Sequence, residues 1–156
     1  MLVVKKFGGT SVANKERIYN VARRCIEEYQ KGNDVVVVLS AMGKLTDELI
    51  EMAMDINPNP SKRELDMLLT TGEQTSVSLM SMAMAALGVP SISLNAFQVA
   101  MHTTSNYGNA RLKRIDTERI KHELESRKIV IVTGFQGINK YDDYTKREKD
   151  LEHFYA

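Results

Sequence analysis

The sequence contains a single cysteine, Cys25, no tryptophan and no long apolar run. One thiol supports neither a disulfide framework nor a cysteine-based metal cluster, so we interpret Cys25 as a small buried hydrophobe within a helix. Without a long apolar run or a signal-peptide pattern, the sequence predicts no membrane span and a cytoplasmic protein. The formal net charge is +1, which gives no indication that a nucleic acid or an anionic membrane is a partner.

Histidines are also few, with three in the chain. His102 has no histidine or cysteine nearby at ligand spacing, so no metal-binding residue is predicted. Hydrophobic residues make up 43% and charged residues 26% of the 156 positions. These proportions are ordinary for a globular protein, and the length is sufficient for one domain with its own core.

Apolar runs alternate with helical patterns from the start of the chain. Leu2–Phe7 and Val35–Leu39 are predicted to be buried strands, and apolar residues recur at helical spacing over Asn14–Lys31 between them. Asn14 is the predicted N-cap of this helix, and Gly32 is predicted to end it. Strand, helix and strand in this order predict a right-handed crossover in a parallel sheet.

The rest of the chain continues the alternation. We predict helices over about 46–55, 61–70, 73–87 and 117–126, and strands at Ser91–Leu94, Ile129–Thr133 and, at an edge, 110–115. The fold class is therefore α/β: an αβα sandwich with a mostly parallel sheet.

The first strand ends in a turn whose composition suits phosphate. Lys6–Ser11 reads Lys-Phe-Gly-Gly-Thr-Ser, and glycines let backbone N–H groups approach an anion at the start of a helix. Lys6 can place a point charge on phosphate oxygens. Because Lys6 precedes the glycines, this is not the Walker pattern. These residues alone leave an alternative open: a tight strand-to-helix turn in which the glycines are present for steric reasons.

A second turn, Ser40–Gly43, follows the second predicted strand. Ligands of open α/β sheets bind outside the carboxyl ends of the strands, so both turns are expected to face one crevice. Thr46, which begins the next helix, is either its N-cap or a ligand contact. Glu73 is predicted at a helix start, where a carboxylate is favourable, and the alternative role is to receive a substrate ammonium group.

Four segments occur in an order and spacing typical of one family. They are Lys6–Ser11, Val35–Asp47, Leu68–Gln74 and Ile129–Gly137. In these segments the chain resembles the aspartate kinases of the amino-acid kinase superfamily. The match covers residues 2–139 and then stops. We therefore predict an N-terminal, substrate-side part of an amino-acid kinase domain over 1–139, incomplete at its C-terminus. A divergent charged tail over 140–156 follows, as a solvated helix or a frayed end.

The resemblance implies a reaction. Aspartate kinases transfer the γ-phosphoryl group of ATP, used with Mg²⁺, to the side-chain carboxylate of L-aspartate. The product is 4-phospho-L-aspartate, which begins lysine, threonine and methionine biosynthesis. Because the acceptor carboxylate is already a nucleophile, the protein must mainly align two anions and stabilise the moving charge.

The resemblance also implies residue roles. On the ATP side it implies a catalytic Lys6, which stabilises the transferring phosphate, with Phe7, Gly8, Gly9 and Ser40 around the phosphates. On the aspartate side it implies Glu73 as the acceptor of the amino group, together with Thr46, Asp47, Glu48, Leu124 and Glu125. The family's later motif, with its arginine and catalytic aspartate, and its adenine pocket have no counterpart in this sequence.

Three hypotheses follow. The first is an aspartate kinase catalytic domain present as its N-terminal part, which we expect to be inactive alone. The second is a kinase for another small amino acid or carboxylate. The third is a non-catalytic remnant that binds ligand or pairs with a full-length subunit. An uncovered sheet edge in such a half-domain predicts a homo-oligomer, aggregation or dependence on a partner.

Overall fold

The computed structural model describes residues 1–147, and residues 148–156 of the predicted tail lie outside that part. Within residues 1–147 the helices are α1 (Lys15–Gln30), α2 (Leu45–Ile56), α3 (Lys62–Ala86) and α4 (Glu118–Glu125). The strands are β1 (Leu2–Phe7), β2 (Asp34–Leu39), β3 (Ser91–Leu94), β4 (Met101–Thr103), β5 (Leu112–Ile115), β6 (Ile129–Thr133), β7 (Gln136–Ile138) and β8 (Tyr144–Lys146). None of these helices is long and apolar enough to cross a membrane.

The main sheet contains the four strands predicted for it, in the order β1-β2-β6-β3. All three pairings are parallel, which confirms the α/β prediction. Because the strands run in one direction, their carboxyl ends lie along a single edge of the sheet. That edge, called the carboxyl edge below, is formed by Phe7, Leu39, Thr133 and Leu94.

Helices cover both faces of this sheet, as an αβα sandwich requires. Val35 and Val37 of β2 pack in a core cluster with residues of α1 and α3. Val36 and Val38 point the other way, into a cluster that contains Ile120 of α4. Burial on both faces explains why the central part of β2, Val35–Val38, is an unbroken run of β-branched residues.

The predicted start and end of α1 are confirmed. Asn14 caps the helix, since its side-chain oxygen accepts a hydrogen bond from the Arg17 N–H at 3.0 Å. Gly32 has a φ of 91°, a left-handed conformation that glycine adopts without steric penalty. At the start of α4 the N-cap position is Thr117, without a side-chain cap bond, and the Asp116 carboxylate before it accepts from the Glu118 N–H at 3.0 Å.

Helix α3 corrects the prediction of two helices separated at residues 71–73. Lys62–Ala86 is one helix of 25 residues, and Gly72 lies inside it. A Cβ on Gly72 would be 3.0 Å from the Cβ of Ala41, in the loop after β2. The glycine therefore allows the loop to pack against the helix, and it does not end the helix. As a result Glu73 is in the middle of α3, not at a helix N-terminus.

A second, mixed sheet has the order β5-β4-β7-β8, and only its edge strand β5 was predicted. β8 corrects the predicted tail for residues 144–146, which are neither helical nor frayed but pair antiparallel with β7. Thr145 is fully buried, and its hydroxyl lies 2.6 Å from that of Thr103. The domain boundary at residue 139 stays a prediction.

The buried position of Cys25 leads to a test of the fold. Cys25 is fully buried in α1, and this burial raises the pKa of its thiol to about 12, although Lys5 and Arg24 oppose the shift. Because the thiolate is the reactive form, iodoacetamide at about pH 8 is expected to leave the native protein unlabelled. Mass spectrometry before and after guanidinium treatment checks this, and equal labelling of both states would contradict the packing of α1.

Candidate functional site

Two loops meet at the carboxyl edge. The Ser40 N–H donates to the Phe7 carbonyl at 3.2 Å, and the Gly43 N–H donates to the Gly9 carbonyl at 2.9 Å. The turn after β1 and the turn after β2 are thus packed against each other. They therefore lie side by side at this edge, and the expectation that both face one crevice stays a prediction.

The two glycines of the first turn have different reasons to be glycine. A Cβ on Gly9 would lie 2.7 Å from the carbonyl oxygen of Ala41, so packing alone excludes any larger residue there. Gly8 has a φ of −79°, which any residue adopts, and a Cβ on it would meet no atom within 4 Å. Neither strain nor crowding within residues 1–147 therefore accounts for Gly8, and its open surroundings leave room for a ligand to approach the backbone.

Two lysines lie against one aromatic ring beside these loops. The Lys6 ammonium is 5.4 Å from the centre of the Phe135 ring, and the Lys146 ammonium is 5.7 Å from the same centre. Phe135 has a φ of 56°, an unusual conformation for a bulky residue. Such strained residues often occur at functional sites. No role was predicted for Phe135 or Lys146, and the only signal was an aromatic residue next to Gly134.

Glu73 is a buried acid in this region, with 2% of its surface exposed. One carboxylate oxygen, Oε1, accepts a hydrogen bond from the Lys146 ammonium. The other, Oε2, is buried and has no hydrogen-bond partner among the described residues. A buried acceptor without a donor destabilises a protein by about 1–3 kcal/mol. Glu73 therefore offers an acceptor oxygen to a ligand that can donate.

Gln136 fixes the middle of α3 to the carboxyl edge. Its side-chain amide donates to the Thr70 carbonyl at 2.7 Å, and its side-chain oxygen accepts from the Thr133 hydroxyl at 2.9 Å. Gln136 is fully buried, so both bonds form away from water. No role was predicted for Gln136 from the sequence, so this positioning role was missed.

Asp66, one turn into α3, fixes the position of β8. Its Oδ2 accepts from the backbone N–H groups of Gly108 at 2.7 Å and Lys146 at 3.0 Å. Burial raises the pKa of this carboxyl, while the two backbone hydrogen bonds act in the opposite direction. The result is that the backbone of Lys146 is tied to the helix that carries Glu73.

Thr46, Asp47 and Glu48 lie in the first turn of α2, directly after the loop that begins at Ser40. Thr46 is partly buried, whereas Asp47 and Glu48 are exposed. The helix begins at Leu45, and the N-cap position is Lys44, without a side-chain cap bond. The interpretation of Thr46 as the N-cap is therefore wrong, and its hydroxyl is not used as a cap.

Leu124 and Glu125 do not join the site. They end α4 shortly before β6 begins, at the opposite edge of the parallel sheet. Arg127, in the same turn, donates to the carbonyl of Asn33 at 3.2 Å, which marks the amino end of β2. Leu124 is buried in the core under the sheet. The geometry thus corrects the expectation that these two residues lie with Glu73.

The two glycines of the first turn give a matched pair of variants. Gly9→Ala is expected to destabilise the fold by about 1–3 kcal/mol, because its methyl group overlaps a backbone oxygen that cannot rotate away. Gly8→Ala has space for its methyl group and is expected to melt within a degree or two of the unchanged protein. Thermal unfolding followed by circular dichroism measures both, and equal midpoints would contradict the packing of the two loops.

In a comparison with protein families, residues 1–146 fit the model of the amino acid kinase family. The chain is similar to the aspartokinase of Bacillus sp. (strain MGA3), with 54% identity over 144 residues, which cover 92% of this chain and 35% of the relative. It is also similar to aspartokinase 2 of Bacillus subtilis (strain 168), with 53% identity over 139 residues, 89% of this chain and 34% of the relative. The chain thus spans about a third of the length of the curated relatives it matches.

Solved structures agree with the fold. The aspartate kinase from Synechocystis is 43% identical, with a TM-score of 0.79 over 93% of this chain and 23% of that one. E. coli aspartokinase III, in a complex with aspartate and ADP, has a TM-score of 0.80 over 94% of this chain and 43% of that one. At 20% identity the latter likeness concerns the fold alone.

Proposed function

The chain belongs to the amino acid kinase family, and from this premise we propose that it is the amino-acid-binding part of an aspartokinase. The proposed reaction is phosphoryl transfer from ATP to the side-chain carboxylate of L-aspartate. The observation that carries the proposal is the buried Glu73 carboxylate, whose Oε2 has no donor among the described residues, close to the loop that follows Ser40. The aspartokinase relatives at 53–54% identity support the choice of substrate.

On the phosphate side we assign Lys6, Phe7, Gly8, Gly9 and Ser40. The open space at Gly8 supports an approach of phosphate oxygens to the backbone. Lys6 is exposed at the end of β1, where its ammonium can reach the transferring phosphoryl group and stabilise the charge that develops on it.

On the amino-acid side we assign Glu73 to the substrate ammonium group. We also assign the first turn of α2 to the amino-acid side, with Thr46, Asp47 and Glu48. Gly72 supports it, since its contact with Ala41 brings α3 next to the loop that leads into α2. An ammonium group has three donors and needs an anionic partner, and Glu73 is the carboxylate buried beside this loop.

The chemical step then needs alignment more than acid–base chemistry. An oxygen of the aspartate side-chain carboxylate attacks the γ-phosphorus, and the bond to the bridging oxygen breaks, so that ADP leaves with the electron pair. Two anions about 4 Å apart repel each other by several kcal/mol at an effective dielectric constant of about 20. Lys6 and the backbone amides of the first turn would offset this repulsion.

Magnesium would enter with ATP. Among residues 1–147 no group of three or more histidine, cysteine, aspartate or glutamate side chains is arranged to hold a metal ion. These residues therefore do not form a magnesium site built of protein ligands alone. Mg²⁺ commonly retains several waters and binds largely through substrate phosphates, in keeping with a role as part of the nucleotide complex.

We also propose that the protein works in the cytoplasm as a homo-oligomer. Among residues 1–147, β1 and β3 are the edge strands of the main sheet, and α3 exposes Met82, with 65% of its surface accessible. Exposed apolar surface and free sheet edges favour association. Sedimentation velocity at several concentrations tests this, and a monomer throughout would reject it.

The activity of residues 1–156 alone tests the functional proposal. We expect no measurable aspartate-dependent release of ADP, because the chain spans about a third of its relatives and phosphoryl transfer needs both substrates held in line. The assay compares purified 1–156 with the same chain extended by the remaining two thirds of a 54% identical aspartokinase. Turnover by the extended chain supports the proposal. Equal turnover by 1–156 would refute the expectation of inactivity, and no turnover by either would count against the aspartokinase assignment.

Lys6→Ala in the extended chain is expected to lower turnover by roughly 10²–10³, the effect of removing one preorganised stabilising group. Lys5→Ala is the matched control. The side chains of neighbouring strand residues point to opposite faces, and Lys5 acts on Cys25 in the α1 layer. Steady-state kinetics distinguish the two variants. Equal effects of both substitutions would remove Lys6 from the site.

A further inference from the structure

Glu73 and Lys146 form an ion pair in which each side chain has hydrogen-bonding capacity beyond the pair itself. We propose that Lys146 binds the α-carboxylate of the substrate while Glu73 binds its ammonium group, so that the pair recognises the zwitterionic head group of an α-amino acid. The inference rests on the proposed function, because it takes Oε2 of Glu73 as the acceptor of the substrate ammonium.

The first support is the hydrogen-bonding capacity that the pair leaves over. The Lys146 ammonium donates to Oε1 of Glu73, and an ammonium group has three N–H donors. Within residues 1–147 this is the only hydrogen bond of that ammonium group, and Oε2 of Glu73 receives none. The head group of an α-amino acid supplies the complement, because its ammonium donates and its carboxylate accepts.

The second support is that the two positions are adjacent. Oε1 and Oε2 belong to one carboxylate, so a donor on Oε2 lies beside the ammonium that is bound to Oε1. The ammonium and carboxylate of an α-amino acid are likewise attached to one carbon, and both can contact the pair at once. Neither the pair nor the head group has a net charge, so the attraction is between two dipoles, with charges that alternate in sign around the contact.

The third support is the place of Lys146 in the site. Its side chain is 15% exposed and that of Glu73 is 2% exposed, so the cation is the more accessible end of the pair. The Lys146 ammonium is 5.7 Å from the centre of the Phe135 ring, and the Lys6 ammonium is 5.4 Å from the same centre. A substrate held by the pair therefore lies near the lysine that we assign to the transferring phosphoryl group.

The backbone holds Lys146 in this position. Its N–H donates to Asp66 at 3.0 Å, and its carbonyl accepts from the Ala110 N–H at 2.9 Å. In the second sheet Lys146 pairs with Gln136 of β7. A cation that is fixed before the ligand arrives loses little conformational freedom on binding, which favours affinity.

Two relatives of L-aspartate separate the two halves of the head group. β-Alanine is L-aspartate without the α-carboxylate, so it can use Glu73 but not Lys146. Succinate is L-aspartate without the amino group, so it leaves the buried Oε2 of Glu73 without a donor. A site built to bond a polar group binds an analogue that lacks this group more weakly, and L-aspartate is therefore expected to bind more tightly than either analogue.

The experiment is calorimetric titration of the full 156-residue chain with L-aspartate, β-alanine and succinate. Lys146→Met keeps the apolar stem and removes the cation, and Glu73→Gln removes the charge of the acceptor. Lys140→Met is the matched control, since Lys140 is exposed and lies over the Tyr141 ring.

In the unchanged chain and in Lys140→Met, L-aspartate is expected to bind about 10- to 100-fold more tightly than β-alanine, the effect of one hydrogen bond between charged groups. In Lys146→Met this ratio is expected to fall to about one, because Glu73 alone then binds the head group of both ligands. The ratio is the readout because a change in Glu73 itself affects both ligands alike. If Lys146 only neutralised Glu73, the substitution would leave the ratio unchanged.

Equal binding of L-aspartate and β-alanine by the unchanged chain would overturn the inference, and this measurement does not depend on how a variant folds. An unchanged ratio in Lys146→Met would overturn it as well. In either case Glu73 remains the ammonium acceptor if the chain prefers L-aspartate to succinate and Glu73→Gln removes that preference. If the unchanged chain does not prefer L-aspartate to succinate, or binds neither, the proposed role of Glu73 fails and the inference fails with it.

Discussion

A carboxylate buried in the middle of a helix is the constraint on which the site depends. Glu73 is almost fully enclosed, and the net penalty for taking a charged group out of water is several kcal/mol unless a cation and donors accompany it. β8 supplies that cation through Lys146. The need to pair Glu73 therefore links the second sheet to α3, and Asp66 and Gln136 fix the geometry of that link from either side.

The parallel sheet positions the two loops that lie at the carboxyl edge. Since its four strands run in one direction, the loops after β1 and β2 necessarily leave from the same edge and pack together. Gly9 and Gly72 are the positions at which this packing excludes a side chain. Neither glycine has the left-handed backbone conformation that favours glycine. Both are therefore explained by close contacts with residues distant in sequence.

The sequence predicted the main sheet well because its signal is local. β2 and β6 are unbroken runs buried on both faces, and Asn14 and Gly32 mark the ends of α1. Predictions failed where the cause is distant in the chain. Gly72 was interpreted as a break between two helices. Its close contact with Ala41, which explains the glycine, cannot be recognised from the neighbouring sequence. β7 and β8 have three residues each, too few for a periodic pattern, so Gln136 and Lys146 were missed. Phe135, in the turn between β6 and β7, was missed as well.

The distances along the chain have a consequence for synthesis on the ribosome. Arg63 pairs with Asp143, and Asp66 with the Lys146 backbone, each across 80 residues, while Glu73 and Lys146 are 73 residues apart. The β1-α1-β2 crossover involves short separations and can form early, but closing such long loops comes late. Until residue 146 has left the exit tunnel, Lys146 cannot reach Glu73, and Glu73 has to stay hydrated. The central part of α3 therefore cannot complete its burial before residue 146 has emerged.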